Sequence, residues 1–221
     1  MIVLFLSFVL LLAAAFLFGS IPFGYLIGRF FYRIDIRKQG SGNIGAMNAL
    51  RTLGKTGAVA VLVLDALKGF IPVWLMGLVF KGSIHVHDGV QFTATLGETL
   101  QTLVAICAVL GHCFSPWLNW KGGKGVATSF GAIFALSWKA GLICVGAWAL
   151  GAAATQYSSV GSMLANLISP VALWAVTGSI PYTIYGIFAG LFIVYTHREN
   201  IVRLREGREN PIRFLRKSKA P

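Results

Sequence analysis

The sequence predicts an all-α integral membrane protein of about seven transmembrane helices, some of them short, with the N-terminus outside and the C-terminus cytoplasmic. Three observations carry that expectation. Hydrophobic side chains make up 56% of the 221 residues and charged ones 12%, too apolar a balance for a soluble domain of this size. Apolar runs recur at 2–28, 56–80, 96–114, 126–137, 140–154, 160–178 and 180–196; a straight span needs roughly 20 residues. Finally, 16 of the 19 lysines and arginines fall in three segments between or after those runs.

No Lys or Arg precedes the first run, and its length suits a span better than a secretory signal. The fourth and fifth runs are short. They read either as two short tilted helices joined by a turn at Trp138 and Lys139, or as one long helix over 126–154. The charges decide between these. Segment 29–55 holds Arg29, Arg33, Arg37, Lys38, Arg51 and Lys55; segment 111–125 holds Lys121 and Lys124; the tail holds Arg198, Arg203, Arg205, Arg208, Arg213, Arg216, Lys217 and Lys219. Positive residues flanking spans favour the cytoplasm, so all three segments belong on that side. The chain must then cross an even number of times between 126 and 196, and four crossings fit the four runs there. A merged helix would leave the tail's eight positive charges outside. Four crossings also return the turn QYSSVGS, residues 156–162, to the cytoplasmic face. The polar segments are too short to fold alone, so residues 1–221 read as a single transmembrane domain whose cytoplasmic segments wall one site.

The formal net charge of +12 would ordinarily suggest nucleic acid. Here no soluble domain carries a groove and the basic residues are not interleaved with exposed aromatics, so nucleic acid is excluded in favour of a lipid surface or small anions. Cys107, Cys113 and Cys144 lie in or beside apolar runs without CxxC spacing, and read as buried hydrophobes rather than a disulfide or metal framework.

KQGSGNIGAMNALRTLGK, residues 38–55, contains GxGxxG at Gly40, Gly42 and Gly45. The dinucleotide reading fails because that motif needs a preceding strand, and helical spans flank this one. GKT at 54–56 imitates a phosphate loop, with Ala49 where the first glycine belongs. The borrowed physics still applies: a glycine-rich turn aims backbone N–H groups at an anion, and a helix from near Ala46 adds its positive end. Ser41 would add a hydroxyl. Asn48, Arg51 and Lys55 follow at i, i+3 and i+7, placing an amide, a guanidinium and an ammonium on one helix face. The plainer alternative is a loop of positive-inside anchors.

GHCFSPWLNWKGGKGVATSFG, residues 111–131, offers a second basic turn, Lys121 to Gly125, directly before a short helix with Thr128 and Ser129 in its first turn. It again describes an anion cradle. His112 on its own reads as a structural interfacial histidine, and Trp117 and Trp120 as aromatic belt. THRENIVRLREGREN, residues 196–210, begins where the last span ends. If the helix continues, His197, Asn200 and Leu204 share a face with Arg203 beside them, and Gly207 serves as C-cap. His197 is the best candidate for proton chemistry near neutral pH. Arg205, Arg208, Arg213 and Arg216 read as contacts to anionic lipid.

Asp65 and Lys68 lie about 15 Å deep in the second run at 1.5 Å per residue. A lone charge there costs about 2.5–3.5 kcal/mol, and the i, i+3 spacing lets the two neutralise each other, as a structural pair or as support for the site. Ser158, Ser159 and Ser162 fall in the fourth cytoplasmic turn, and Ser162 is favoured as a phosphate ligand.

Two cationic glycine turns and a histidine suggest an enzyme acting on lipid phosphates. SGNIGAMNALR (41–51), GHCFSPWLNWKGGKGVAT (111–128), HRENIVRLREGRE (197–209) and GSIPFGYLIGR (19–29) resemble, in order and spacing, the cytoplasmic motifs and the start of the bacterial acyl-phosphate:glycerol-3-phosphate acyltransferases, the PlsY family. The resemblance implies a seven-helix enzyme of the bacterial cytoplasmic membrane, with its site facing the cytoplasm. It would move an acyl chain from acyl phosphate to the 1-hydroxyl of sn-glycerol 3-phosphate, releasing lysophosphatidic acid and phosphate, without metal or organic cofactor. Carried over residue by residue, it implies an active-site set of Ser41, Arg51, Lys124, Ser162, His197 and Asn200. Added to the reading of the loops themselves, this gives as expectation a catalytic group of Ser41, Ser162, His197 and Asn200. Arg51, Lys124, Gly42, Asn43, Asn48, Gly123, Gly125 and Arg203 would bind substrate, the amides of Gly42, Gly123 and Gly125 completing the cradle, with Asp65 and Lys68 in support. An acyl phosphate is already activated, so such an enzyme needs positioned cations and N–H groups rather than its own nucleophile.

The HxxxxD pair of other acyltransferases is absent: His85, His87, His112 and His197 are followed five positions later by Val90, Phe92, Trp117 and Val202. An anion transporter is the main rival reading, but the polar segments gather on one face and no paired interrupted helices occur in two halves. A membrane scaffold would leave the glycine and cation pattern without a purpose.

Overall fold

The computed structural model describes residues 2–81 and 90–212; His85, His87, Arg213, Arg216, Lys217 and Lys219 lie outside the described residues. The chain forms helices α1 (Ile2–Gly19), α2 (Phe23–Phe31), α3 (Ala46–Thr52), α4 (Gly54–Lys81), α5 (Val90–Cys113), α6 (Val126–Leu136), α7 (Trp138–Thr155), α8 (Ser158–Thr177), α9 (Ile180–Thr196) and α10 (Arg198–Arg205). The described residues contain no strand, which removes the fold context that a GxGxxG dinucleotide site requires.

Helices α4, α5, α7 and α8 are each long and apolar enough to cross a membrane, and the bent pairs α1–α2 and α9–α10 bring the number to six. The bends are of 41° and 55°, and the first corrects a sequence expectation. The run over 2–28 is not one helix, because Pro22 lacks an N–H and turns the preceding residues out of the helical region. The polar groups freed by this break find partners across the bundle: Lys68 Nζ donates to the Ile21 carbonyl at 2.7 Å, Ser115 Oγ donates to the Ser20 carbonyl at 2.7 Å, and Trp117 Nε1 donates to Ser20 Oγ at 2.8 Å. The last span ends at Thr196, as the run over 180–196 suggested, and the chain resumes helix across the second bend as α10, which Gly207 follows with a φ of 64°, as the C-cap expectation requires.

Between α6 and α7 the backbone extends at Ser137, with φ −158° and ψ 113°, and Ser137 Oγ accepts from the Ala140 N–H at 3.4 Å. Two short helices are therefore present rather than one over 126–154. Their turn falls one residue earlier than the sequence suggested. Arg51, Lys124, Ser159 and Asn200 line one cavity, so α4, α6 and α8 begin at the same end of the bundle at which α9 finishes. Three hairpins follow from that convergence: α4–α5, α6–α7 and α8–α9. With the bent α1–α2 they make seven traversals, although α6, at 11 residues, rises only about 16 Å.

The core runs along the bundle through Val73, Val104, Ala132, Ile133, Leu173, Tyr185 and Ala189. A second cluster, with Ile27, Ile36, Ile44, Ala49, Val61 and Leu118, lies under the loop between α2 and α4. Helices α4 and α6 cross backbone to backbone: a Cβ at Gly131 would lie 1.9 Å from the Ala66 carbonyl oxygen, and one at Gly69 would lie 2.0 Å from that of Thr128. Close approach of this kind is how helices associate where lipid supplies no hydrophobic drive. Gly131→Leu is accordingly expected to cost about 3 kcal/mol and to lower the thermal midpoint in detergent by roughly 6–12 °C. An unchanged midpoint would contradict the crossing.

Candidate active site

Asn48, buried at 2% exposure, organises the first loop. Its Oδ1 accepts from the Ser41 N–H at 2.8 Å, and its Nδ2 donates to the carbonyls of Ile36, Gln39 and Asn43 at 3.0, 3.1 and 2.8 Å. The loop adds a bond from the Gly45 N–H to Asn43 Oδ1 at 2.8 Å and one from the Gly42 N–H to the Gln39 carbonyl at 3.0 Å. Asn48 thus shapes the turn that presents Ser41 and Arg51 to the cavity. Helix α3 ends at Thr52, so Lys55 belongs to α4 and the expected Asn48, Arg51, Lys55 face does not exist.

The second loop lies against the end of α5. The N–H groups of Gly122 and Gly123 donate to the carbonyls of Cys113 and His112 at 2.9 and 3.0 Å, and Gly125, with φ 84°, turns the chain into α6. The amides of Gly42 and Gly123, expected in the anion cradle, are therefore spent inside the protein. Thr128 and Ser129 also face the bundle: both are fully buried, and Ser129 Oγ donates to Asn166 Oδ1 at 2.8 Å while accepting from Tyr185 Oη at 3.2 Å.

The third segment folds back after Gly207, bringing Glu209 under α10. Glu209 accepts from Arg203 Nε at 2.8 Å, Asn200 Nδ2 at 2.7 Å and Ser159 Oγ at 3.0 Å. Burial works against its charge, but these bonds outweigh it and hold the carboxyl below the usual range. Asn200 Oδ1 in turn accepts from Lys124 Nζ, and Arg51 Nη2 donates to the Asn210 carbonyl at 3.4 Å. Ser159, named in the sequence only as one of three turn serines, and Glu209, which was not singled out, carry this network; Ser162, favoured as the phosphate ligand, donates its hydroxyl to the Ser158 carbonyl at 2.8 Å.

All three loops and the α7–α8 turn open on one cavity of about 680 Å³. One end is polar, with Ser41, Arg51, Lys124, Ser162, His197, Asn200 and Arg203 in its wall. The remainder is apolar, bounded by Leu62, Ala66 and Phe70 of α4, Val126, Phe130 and Phe134 of α6, and Val145 and Trp148 of α7. Asp65 and His112 sit in the wall as well, and Asp65 pairs with Lys68 at 2.7 Å, as the i, i+3 spacing predicts. Nδ1 of His197 lies 2.8 Å from the Ile193 carbonyl, which can only accept, so in the neutral ring Nδ1 carries the proton and Nε2 its lone pair. Burial, and after it the Lys124 charge, pulls the His197 pKa down to about 4, leaving the ring neutral at physiological pH. Burial and then the Arg203 charge lower Lys124 to about 8. Among the described residues no three His, Cys, Asp or Glu side chains gather to hold a metal.

A model of the glycerol-3-phosphate acyltransferase family matches residues 9–207. The chain belongs to that family. Among its relatives, the glycerol-3-phosphate acyltransferase of Synechococcus sp. strain JA-2-3B'a(2-13) is 42% identical over 92% of this chain and 94% of its own, and that of Gloeobacter violaceus 37% identical over 90% and 92%. The backbone is similar to the crystal structure of PlsY, an integral membrane glycerol 3-phosphate acyltransferase, in its glycerol 3-phosphate form. That match has TM-score 0.80 and 35% identity over 93% of this chain and 96% of that one. The lysophosphatidic acid form gives TM-score 0.79 over 93% and 95%. This family member is thus an all-helical integral membrane enzyme.

Because Lys124 loses its proton near pH 8, apparent affinity for a phosphate-bearing substrate is expected to fall as pH rises through about 8. Lys124→Arg should abolish that limb in a KM-against-pH series, and a limb that survives the substitution would assign it elsewhere.

Proposed function

We propose that the protein moves a fatty acyl chain from acyl phosphate to the 1-hydroxyl of sn-glycerol 3-phosphate, giving lysophosphatidic acid and inorganic phosphate, the first acylation of bacterial phospholipid synthesis. The supporting observation is a cavity whose cationic end continues into an apolar groove. A small phosphorylated alcohol suits the first part and an alkyl chain the second. The glycerol 3-phosphate and lysophosphatidic acid forms of the related structure support the acceptor and the product.

In this reading Arg51 and Lys124 bind phosphate, with Ser41 and Arg203 beside them; Asn43, Asn48 and the three glycines act by shaping the loops. Asn200 and His197 orient glycerol phosphate, the neutral Nε2 accepting a hydrogen bond from the attacking hydroxyl. That oxygen forms the new ester bond to the acyl carbon as the bond from carbon to the phosphate oxygen breaks, and phosphate leaves. With a pKa of about 4, His197 is a weak store for the proton, whereas a substrate phosphate with second pKa about 6 is better matched to neutral pH. The proton therefore ends on phosphate. An acyl phosphate is already activated, which favours direct transfer over an acyl-enzyme. The whole chain, 1–221, acts as one domain in the bacterial inner membrane, and its basic segments favour a site facing the cytoplasm.

Purified protein given glycerol 3-phosphate is expected to form lysophosphatidic acid with acyl phosphate and not with an acyl thioester; the reverse preference would overturn the donor. His197→Ala should lower kcat by about 10²-fold, within the range for a lost positioned group, and leave the acidic limb of the pH–rate profile in place. Loss of that limb would make the histidine the base.

A further inference from the structure

The mechanism gives no task to His112, although it is 3% exposed and forms part of the cavity wall. Its place is defined on three sides. On one, a Cβ built on Gly123 would lie 2.1 Å from His112 Nε2 and 2.8 Å from Cε1, so the imidazole lies directly against the backbone of the Gly122–Gly123 turn. On another, its own carbonyl receives the Gly123 N–H at 3.0 Å, with the neighbouring Cys113 carbonyl taking that of Gly122. On the third, Nδ1 lies 3.6 Å from Asp65 Oδ1, an electrostatic approach longer than a direct hydrogen bond. Asp65 is itself fixed by Lys68, whose ammonium also donates to the Ile21 carbonyl in the break between α1 and α2.

These contacts form a chain from the bent first span, through Lys68 and Asp65, to the ring that backs the loop carrying Lys124. Lys124 follows Gly123 directly, so a displacement of the turn displaces the ammonium. We propose that His112, seated between Asp65 and the Gly122–Gly123 turn, is a positioning residue that fixes where Lys124 Nζ stands in the cavity. Glycine is required at 123 because the ring fills the space a side chain would take. The assignment rests on the reading of Lys124 as a phosphate ligand.

Two double-substitution cycles test it, in purified protein, with KM and kcat for glycerol 3-phosphate and for acyl phosphate as readouts. The first combines His112→Ala with Lys124→Ala. Each single variant is expected to raise KM for the same substrate, by about tenfold or more, and the double variant to be no worse than Lys124→Ala. Multiplying effects would mean that His112 does not act through Lys124. In the second cycle, Gly123→Ala should raise that KM strongly on its own and only slightly in a His112→Ala background, where the ring no longer occupies the space of the added methyl; equal effects in both backgrounds overturn the buttress. The thermal midpoint without substrate separates a global defect: His112→Gln is expected to keep it within a few degrees while partly restoring KM, and a variant that restores the midpoint but not KM counts against positioning. The wild-type assay reports separately on the reaction. If it makes lysolipid but the cycles are additive, the acyl transfer stands and this assignment fails; if it makes none, the shift in midpoint induced by glycerol 3-phosphate replaces KM in both cycles.

Discussion

A single carboxylate, that of Glu209, ties together parts of the chain that the sequence keeps far apart. It takes hydrogen bonds from Ser159 at the start of α8 and from Asn200 and Arg203 of α10, and Asn200 passes the connection on to Lys124 ahead of α6. Packing an ammonium, a guanidinium and a neutral histidine into one wall is unfavourable in a poorly hydrated site unless counter-charge is present. Glu209 supplies that charge, and Arg51 and Lys124 line the cavity with it. Ile212, nearly fully buried, donates its N–H to the Gln156 carbonyl at 2.9 Å and secures the segment that carries the carboxylate.

The bundle around this cluster depends on departures from regular helix. The break at Ser20 to Pro22 frees carbonyls that Lys68 and Ser115 occupy, and this gives the buried ammonium a reason to sit where it does. A second departure, at Ser137, splits an apolar stretch into two helices and returns the chain to the end where Ser159 is needed. At the glycine crossing of α4 and α6, the helix that carries Asp65 approaches the one that follows Lys124, so the polar wall and the apolar groove share the same two elements.

Much of this was legible in the sequence because membranes impose simple rules. Hydropathy located most of the spans, the break between α6 and α7 agrees with the crossing parity that lysine and arginine suggested, and the i, i+3 spacing of Asp65 and Lys68 foretold their pairing. What local reading missed was the use to which polar groups are put. The amides of Gly42 and Gly123 looked available for an anion, but a loop must first satisfy its own backbone, and neighbouring carbonyls take them. Thr128 and Ser129 sit in a first helical turn, yet that turn faces Asn166 and Tyr185. Glu209 was hidden in an arginine-rich tail. The signal was present: one acid beyond a glycine that reverses the chain can fold back onto the arginine six residues before it. His112 looked solitary because its partner Asp65 lies 47 positions away, on another helix.

The apolar part of the cavity is not sealed. Leu62, Val63 and Leu67 on α4 and Val145 on α7 line it while remaining exposed on the outer surface of the bundle. The groove thus opens on its flank as well as at its polar end, and under the proposed reaction the polar end would admit the sugar-alcohol phosphate and the flank the tail. Under the proposed reaction the lipid never has to pass through the aqueous phase, and its departure becomes lateral diffusion within a leaflet, governed by the two-dimensional crowding of neighbouring lipids rather than by solubility.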